Sequence, residues 1–152
     1  MMQAVGIERE EEVAERARGQ LKAAGLTDRV LVVAGDVRSG LPTGPFDLCL
    51  LNNNLYYLPP LERPALLQSL YASLAPGGVL ALQVPVLRRT RDPQTTAFHL
   101  YCVANEGTYA LPSDHEVVGL LQTAGFGEIT GRPLWWHGSW YYYFTRRLAA
   151  SA

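Results

Sequence analysis

The residues best able to do chemistry sit where short apolar stretches stop. Ala4-Val5-Gly6-Ile7 runs into Glu8, and residues 30–34 run through Gly35 into Asp36. A third apolar stretch, residues 46–51, stops at Asn52, Asn53 and Asn54, with Tyr56 and Tyr57 just beyond. A carboxylate at the carboxyl end of a buried strand lies where open, helix-covered sheets bind ligands. It can accept two charge-assisted hydrogen bonds from a vicinal diol such as a ribose. Glu8 is placed for that role, its competing use being to cap the helix that follows. Asp36 after a glycine, and asparagines at a strand end, also suit ordinary turns. His99, His115 and Glu106 are candidate bases. His115 falls inside a helix-capping sequence, which favours a plain helical role, whereas His99 lies in a long connection.

The elements that must position these residues alternate in type. Residues 3–7 read as a short buried strand, and residues 10–24 place Val13, Ala17, Leu21 and Ala24 on one helical stripe. Glu10, Glu11 and Glu12 suit the positive end of that helix, and Gly25 suits its left-handed end. Residues 30–34 are β-branched and too short for a helix, and residues 46–51 are a continuous apolar run expected to be covered on both faces. Pro59 and Pro60 introduce a helix over 62–74 with Leu66, Leu67, Leu70 and Leu74 inward, and Pro76-Gly77-Gly78 ends it. A strand follows over 79–86. Residues 87–112, with Arg88, Arg89 and Arg91, have no clean period and read as a long connection. Ser113-Asp114-His115-Glu116 is a capping box for a helix carrying Val117, Val118, Leu120, Leu121 and Ala124, closed by Gly125. Residues 127–133 and 139–146 read as two strands joined closely enough to pair antiparallel. The aromatic run Trp135, Trp136, Trp140, Tyr141, Tyr142, Tyr143 and Phe144 has two readings, the wall of a flat pocket or core divided between two sheet faces.

A length of 152 residues implies one domain, residues 1–152, with a real core. With 13 basic and 14 acidic side chains, no global field recruits nucleic acid or an anionic membrane, which leaves a small molecule as the expected partner. Cys49 and Cys102 form neither a disulfide framework nor a metal-ligand spacing, so no metal is expected and a reducing compartment fits. The first residues resemble no signal peptide, and no apolar run approaches membrane-spanning length, so a cytoplasmic location is expected.

Four motifs in register resemble the class I S-adenosylmethionine-dependent methyltransferases of small-molecule type. They are Val5-Gly6-Ile7-Glu8, Ala34-Gly35-Asp36-Val37, Phe46-Asp47-Leu48 leading to Asn52-Asn53, and Leu74-Ala75-Pro76-Gly77-Gly78. The segment from Tyr109 through Ala124-Gly125-Phe126 and the terminal hairpin are similar to the carboxy-terminal elements of that family. The resemblance implies an α/β fold with a Rossmann-like sheet, mostly parallel with an antiparallel C-terminal hairpin. It also implies that this sequence starts at the family's second strand, N-terminally truncated, without the first strand and glycine-rich loop.

What the family implies for function follows residue by residue. S-adenosylmethionine would be the cofactor, with Glu8 on the ribose hydroxyls, Asp36 and the Val37 amide on the adenine, and Asn52 and Asn53 under the methionine end. The methyl acceptor would be a small molecule, met through oxygen or nitrogen, with Tyr56, Tyr57 and His99 on its side. Related O-methyltransferases often carry a His-Asp pair where this sequence has Tyr56-Tyr57, so no catalytic base carries over. Without the glycine-rich loop, methyl transfer would be impaired. The edges beside the absent strand then call for a second copy or a complementing chain. Two other readings stay open: a noncatalytic interaction module of methyltransferase fold, and an NAD-binding fragment, against which the Pro-Gly-Gly turn and the hairpin speak.

Overall fold

The computed structural model describes residues 3–87, 92–134 and 139–148. These form two compact units, Met1–Thr43 and Gly44–Ala152. Arg88, Arg89, Arg91, Trp135 and Trp136 lie outside the described residues.

The first unit is β1 (Ala4–Glu8), α1 (Glu11–Ala23) and β2 (Val30–Ala34). β1 and β2 pair in parallel, from Ala4 opposite Val30 to Glu8 opposite Ala34. A parallel pair needs a crossover, and α1 supplies it. Gly25 ends the turn after α1 with a φ of 67°, the left-handed conformation expected of it. The buried member of α1 is Ala14 rather than Val13, and Ala24 is exposed, so the inward stripe is rotated from the expected one. Arg18 explains part of this. Its guanidinium donates to the Val32 carbonyl at 3.0 Å and to Glu11 at 2.9 Å, turning this face of α1 toward β2.

The second unit holds a four-stranded sheet in the order β3-β4-β6-β5, built from β3 (Phe46–Asn52), β4 (Leu74–Pro85), β5 (Phe126–Pro133) and β6 (Trp140–Arg147). β3 and β4 are parallel and joined by α2 (Arg63–Ser73); β4–β6 and β6–β5 are antiparallel. The expected hairpin is therefore present, and its second strand lies between its first and the parallel pair. β4 starts at Leu74, five residues before the expected strand. The chain passes straight from α2 into pairing with Phe46, and a Cβ on Gly78 would lie 2.9 Å from the Phe46 carbonyl oxygen. Leu66, Leu67, Leu70 and Leu74 are buried as their spacing predicts. β3 is not covered on both faces: Leu51 is buried, but Leu48 and Leu50 are 53% and 63% exposed. The aromatic run divides by strand period. Tyr141 stacks with Tyr143 on one face and Tyr142 with Phe144 on the other, at centroid distances of 5.9 and 5.8 Å.

The connection expected over 87–112 contains a helix, α3 (Pro93–Ala104). Asp92 starts it, accepting from the Gln94 amide and the Thr95 hydroxyl at 3.1 and 2.6 Å, and Pro93 fills the first turn. An Asp-Pro pair is a helix-start signature, and it was legible in the sequence. The same carboxylate accepts from the buried Ser139 hydroxyl at 2.8 Å, tying α3 to the entry of β6. No helix among the described residues is long and apolar enough to cross a membrane.

The capping box of α4 (Asp114–Thr123) forms as expected, with the Ser113 hydroxyl accepting the Glu116 amide and Glu116 accepting the Ser113 amide. We expect Ser113→Ala to destabilise the protein by about 0.5–2 kcal/mol in denaturant unfolding. Hydrogen bonds from the Ser113 hydroxyl, then from its amide, hold the Glu116 carboxyl below its ordinary value of 4.5. A carboxyl lowered by folding contributes stability above its ordinary pKa and loses it as the pH falls through the lowered value. Glu116→Gln should therefore flatten the acid side of the stability profile below about pH 4.5; an unchanged profile would show that the box is unformed in solution.

Candidate functional site

In the first unit the parallel pair brings two acids to one edge. Glu8 ends β1, its neighbour Ala34 ends β2, and the Gly35 amide donates to the Glu8 carbonyl at 2.9 Å. Asp36 and Val37 follow directly in a turn closed by the Ser39 amide on the Asp36 carbonyl, also at 2.9 Å. Glu8 Oε1 accepts the Glu10 amide at 3.0 Å, so Glu8 does serve the start of the following helix, through one of its two oxygens. The Asp36 carboxylate is held by Arg38, whose Nε lies 3.0 and 2.9 Å from its two oxygens and whose Nη2 also donates. Hydrogen bonds from that guanidinium, then from the Arg38 amide at 2.9 Å, lower the Asp36 pKa to about 2. Asp36 is therefore an anion at any physiological pH. The sequence reading passed over Arg38; its place two residues after an acidic turn residue was the available signal.

In the second unit Asn52 ends β3 opposite Gln83, and the Asn53 amide donates to the Gln83 carbonyl at 2.9 Å. Asn53 takes a φ of 56°, a left-handed conformation that asparagine tolerates better than most residues. The turn directs its side-chain carbonyl inward, where Oδ1 is buried with no hydrogen-bond partner. Buried polar atoms are nearly always paired, and leaving one unpaired costs about 1–3 kcal/mol. Asn54 is spent on the turn itself, its amide nitrogen donating to the Asn52 carbonyl at 2.9 Å.

Tyr56 and Tyr57 follow in a 3-10 turn, Leu55–Tyr57. Tyr56 is buried against Cys102 and Leu111, with Leu87 and Phe98 packed beside them, while Tyr57 is half exposed. Burial, then a hydrogen bond with Tyr57, raises the Tyr56 pKa above the usual phenol range, so Tyr56 stays neutral. His99 on α3 is fixed by the strand-like segment before α4: its Nδ1 accepts the Leu111 amide at 3.2 Å. A neutral imidazole with an accepting Nδ1 carries its proton on Nε2, and that nitrogen is a donor. His99 is thus arranged to present a hydrogen rather than to remove one.

A residue that the sequence reading passed over holds these pieces in register. Arg63, 4% exposed, donates from Nε to the Leu58 carbonyl at 3.2 Å and from Nη2 to the Ala110 carbonyl at 2.8 Å. The Tyr109 amide donates to the Tyr56 carbonyl at 2.8 Å. Residues 109–111 are thereby stitched to the turn that carries both tyrosines and to His99. Nothing in the pattern around a helix-start arginine marks it for burial. Glu106 and His115 are exposed. A separate cavity of about 380 Å³ lies between α4 and the β5–β6 hairpin, lined by Asp114, Val118, Gln122, Phe126, Tyr141 and Tyr143 among others; it takes in Tyr141 and Tyr143 of the aromatic run but none of the residues assigned to cofactor or acceptor. Among the described residues no cluster of His, Cys, Asp or Glu could hold a metal ion, and Cys49 and Cys102 are free thiols.

Comparison with known proteins bears on this arrangement. A family model described as a methyltransferase domain matches residues 1–78. The carboxy-S-adenosyl-L-methionine synthases of Chromohalobacter salexigens and Shewanella pealeana are 35% and 31% identical over 82 and 99 residues. These stretches cover 54% and 65% of this chain but 30% and 40% of the relatives. Among solved structures, the apo form of the S-adenosylmethionine-dependent methyltransferase SibL superposes with a TM-score of 0.82 at 19% identity, over 96% of this chain and 43% of that one. The mitomycin 7-O-methyltransferase MmcR gives 0.82 at 24%, over 95% and 42%. PigF with SAH gives 0.79 at 22%, over 97% and 44%. This chain therefore spans well under half the length of these relatives. With four motifs in register, a family model over residues 1–78 and a shared fold, the chain belongs to the methyltransferase-domain family and has the class I S-adenosylmethionine-dependent methyltransferase fold.

Proposed function

We propose that this chain serves S-adenosylmethionine-dependent methyl transfer to an oxygen or nitrogen of a small-molecule acceptor. The observation that carries this reading is the buried, unpartnered Oδ1 of Asn53 at the carboxyl end of β3. A carbonyl oxygen held there without a partner suits a cationic ligand group, and the methionine end of this cofactor offers an ammonium and a sulfonium. The comparisons support the same cofactor from two sides. The sequence relatives are named for carboxy-S-adenosyl-L-methionine synthesis and SibL for S-adenosylmethionine-dependent methyl transfer, so an S-adenosyl-methionine moiety is what these names share.

In this reading Glu8 accepts from the ribose hydroxyls through the oxygen that the Glu10 amide leaves open, and Asp36 and the Val37 amide address the adenine. Asn53 accepts from the cationic end, with Asn52 beside it. When bound, S-adenosylmethionine supplies a methyl carbon whose bond to sulfur yields its electron pair to sulfur as the acceptor's lone pair attacks. Tyr56 and Tyr57 border the acceptor, and His99 donates to it from Nε2. With His99 a donor and Tyr56 a neutral phenol, neither supplies a base, so the acceptor this arrangement favours is acidic enough to arrive ionised. Residues 1–152 contain no G-x-G turn before Glu8. By themselves they should hold the cofactor no better than about millimolar, which is roughly 4 kcal/mol of binding. Micromolar binding of S-adenosylhomocysteine would contradict that. The competing reading, a noncatalytic module docking through β3, draws on the exposure of Leu48 and Leu50.

Asn53→Gly tests the central assignment with two readouts. Glycine accepts the left-handed backbone and removes the buried unpaired carbonyl, so thermal stability should hold or rise, by up to about 1–3 kcal/mol. Binding of S-adenosylhomocysteine should meanwhile fall about tenfold or more, the loss of a hydrogen bond to a charged group. A stable variant with undiminished binding would remove Asn53 from the site. Glu8→Ala, measured in a chain extended by a glycine-loop strand, should weaken binding by about 1.5–3 kcal/mol.

A further inference from the structure

Both oxygens of the carboxylate assigned to the adenine are already engaged. Asp36 Oδ1 accepts the Arg38 amide at 2.9 Å and Arg38 Nε at 3.0 Å, and Oδ2 accepts Nε at 2.9 Å and Nη2. These contacts come from three N–H groups of Arg38, the single Nε hydrogen being shared between the two oxygens, so that both oxygens of a carboxylate with about four lone-pair directions are already engaged. An adenine amino group needs one of those positions. The fork is local, spanning two residues of a turn closed by the Ser39 amide. It is also open to water, with side-chain exposures of 48% for Arg38 and 24% for Asp36. Three of the four contacts are made by the Arg38 side chain and only one by its backbone amide.

We infer that Arg38 competes with the nucleotide base for Asp36, so that adenine is read by this carboxylate only when the Arg38 fork opens, and that Arg38 thereby sets the affinity of the site. This rests on the assignment of Asp36 to adenine made above. An exposed ion pair is a modest competitor, and its removal corresponds to a gain of about two- to fivefold in affinity. The competitor is an ion pair and the base is neutral, so added salt weakens the first more than the second.

The test is a nuclear magnetic resonance titration of the full 152-residue chain with adenosine, a neutral probe, read at the amides of Gly35, Asp36 and Val37. We expect Arg38→Met to bind adenosine about two- to fivefold tighter than the unaltered chain at low salt, and the gap to close in molar salt. Arg38→Lys, which keeps the charge but lacks the planar fork, should fall between them. In the unaltered chain alone, affinity should rise with salt, a readout that needs no variant. Equal or weaker binding by Arg38→Met, with no salt response in the unaltered chain, overturns the competition while leaving adenine at Asp36. If adenosine moves none of these amides in any chain, the adenine assignment fails and the competition fails with it. An Asp36 carboxyl that titrates near 3.8 in the unaltered chain would show that the fork is not held, and would overturn the inference by itself.

Discussion

A parallel strand pair delivers the residues after both strands to the same edge, and each unit of this protein is arranged around one such pair. In β1–β2 the shared edge receives Glu8 and the Gly35-Asp36-Val37 turn. In β3–β4 it receives the asparagines, the tyrosine turn and the segment leading to α3. Parallel pairing requires a crossover helix, so α1 and α2 are consequences of the same constraint. Three apolar runs stop at polar residues because those residues lie at or just past the last paired positions, at the edge where open sheets meet ligands.

The edge in the second unit is held by polar contacts as well as by the apolar cluster around Tyr56. Arg63 joins the Leu58 and Ala110 carbonyls, the Leu111 amide fixes the His99 ring, and Asp92 links the start of α3 to Ser139. Each of these atoms is satisfied, which makes the unsatisfied Oδ1 of Asn53 stand out against its surroundings. A chain that pairs its other polar groups here and leaves this one has a ligand as the simplest partner for it. The same accounting in the first unit gives the opposite result for Asp36, where Arg38 engages both carboxylate oxygens.

Much of the scaffold was legible in the sequence because period and punctuation agreed. The stretch from 30 to 34 matched β2 residue for residue, the Ser113–Glu116 box formed, Gly25 took its left-handed turn, and the tyrosine run split between faces at a period of two. α3 was hidden by its mixed composition, although Asp92-Pro93 announced its start. The rotated stripe of α1 includes Arg18, whose guanidinium bonds the Val32 carbonyl of β2, a polar contact that hydrophobic periodicity does not count. The two-sided cover expected for β3 rested on its continuous apolar run, and exposure of Leu48 and Leu50 shows that such a run reports hydrophobicity and not what covers it. Within the site, residue types and strand ends were readable from sequence. The Arg38 fork, the burial of Arg63 and the orphaned Asn53 carbonyl were not, because they depend on side-chain directions that only the folded turns define.

The account stands most directly on where an S-adenosyl ligand touches the chain. Nuclear magnetic resonance shift mapping of the 152-residue chain with millimolar S-adenosylhomocysteine, run beside NAD, measures this in one experiment. The account predicts shifts at the amides of Glu8, Val37 and Asn53 with S-adenosylhomocysteine, and weaker or no shifts there with NAD. Shifts confined to the α4 and hairpin cavity around Gln122 and Tyr141, or a stronger response of Glu8 and Asn53 to NAD, would contradict it.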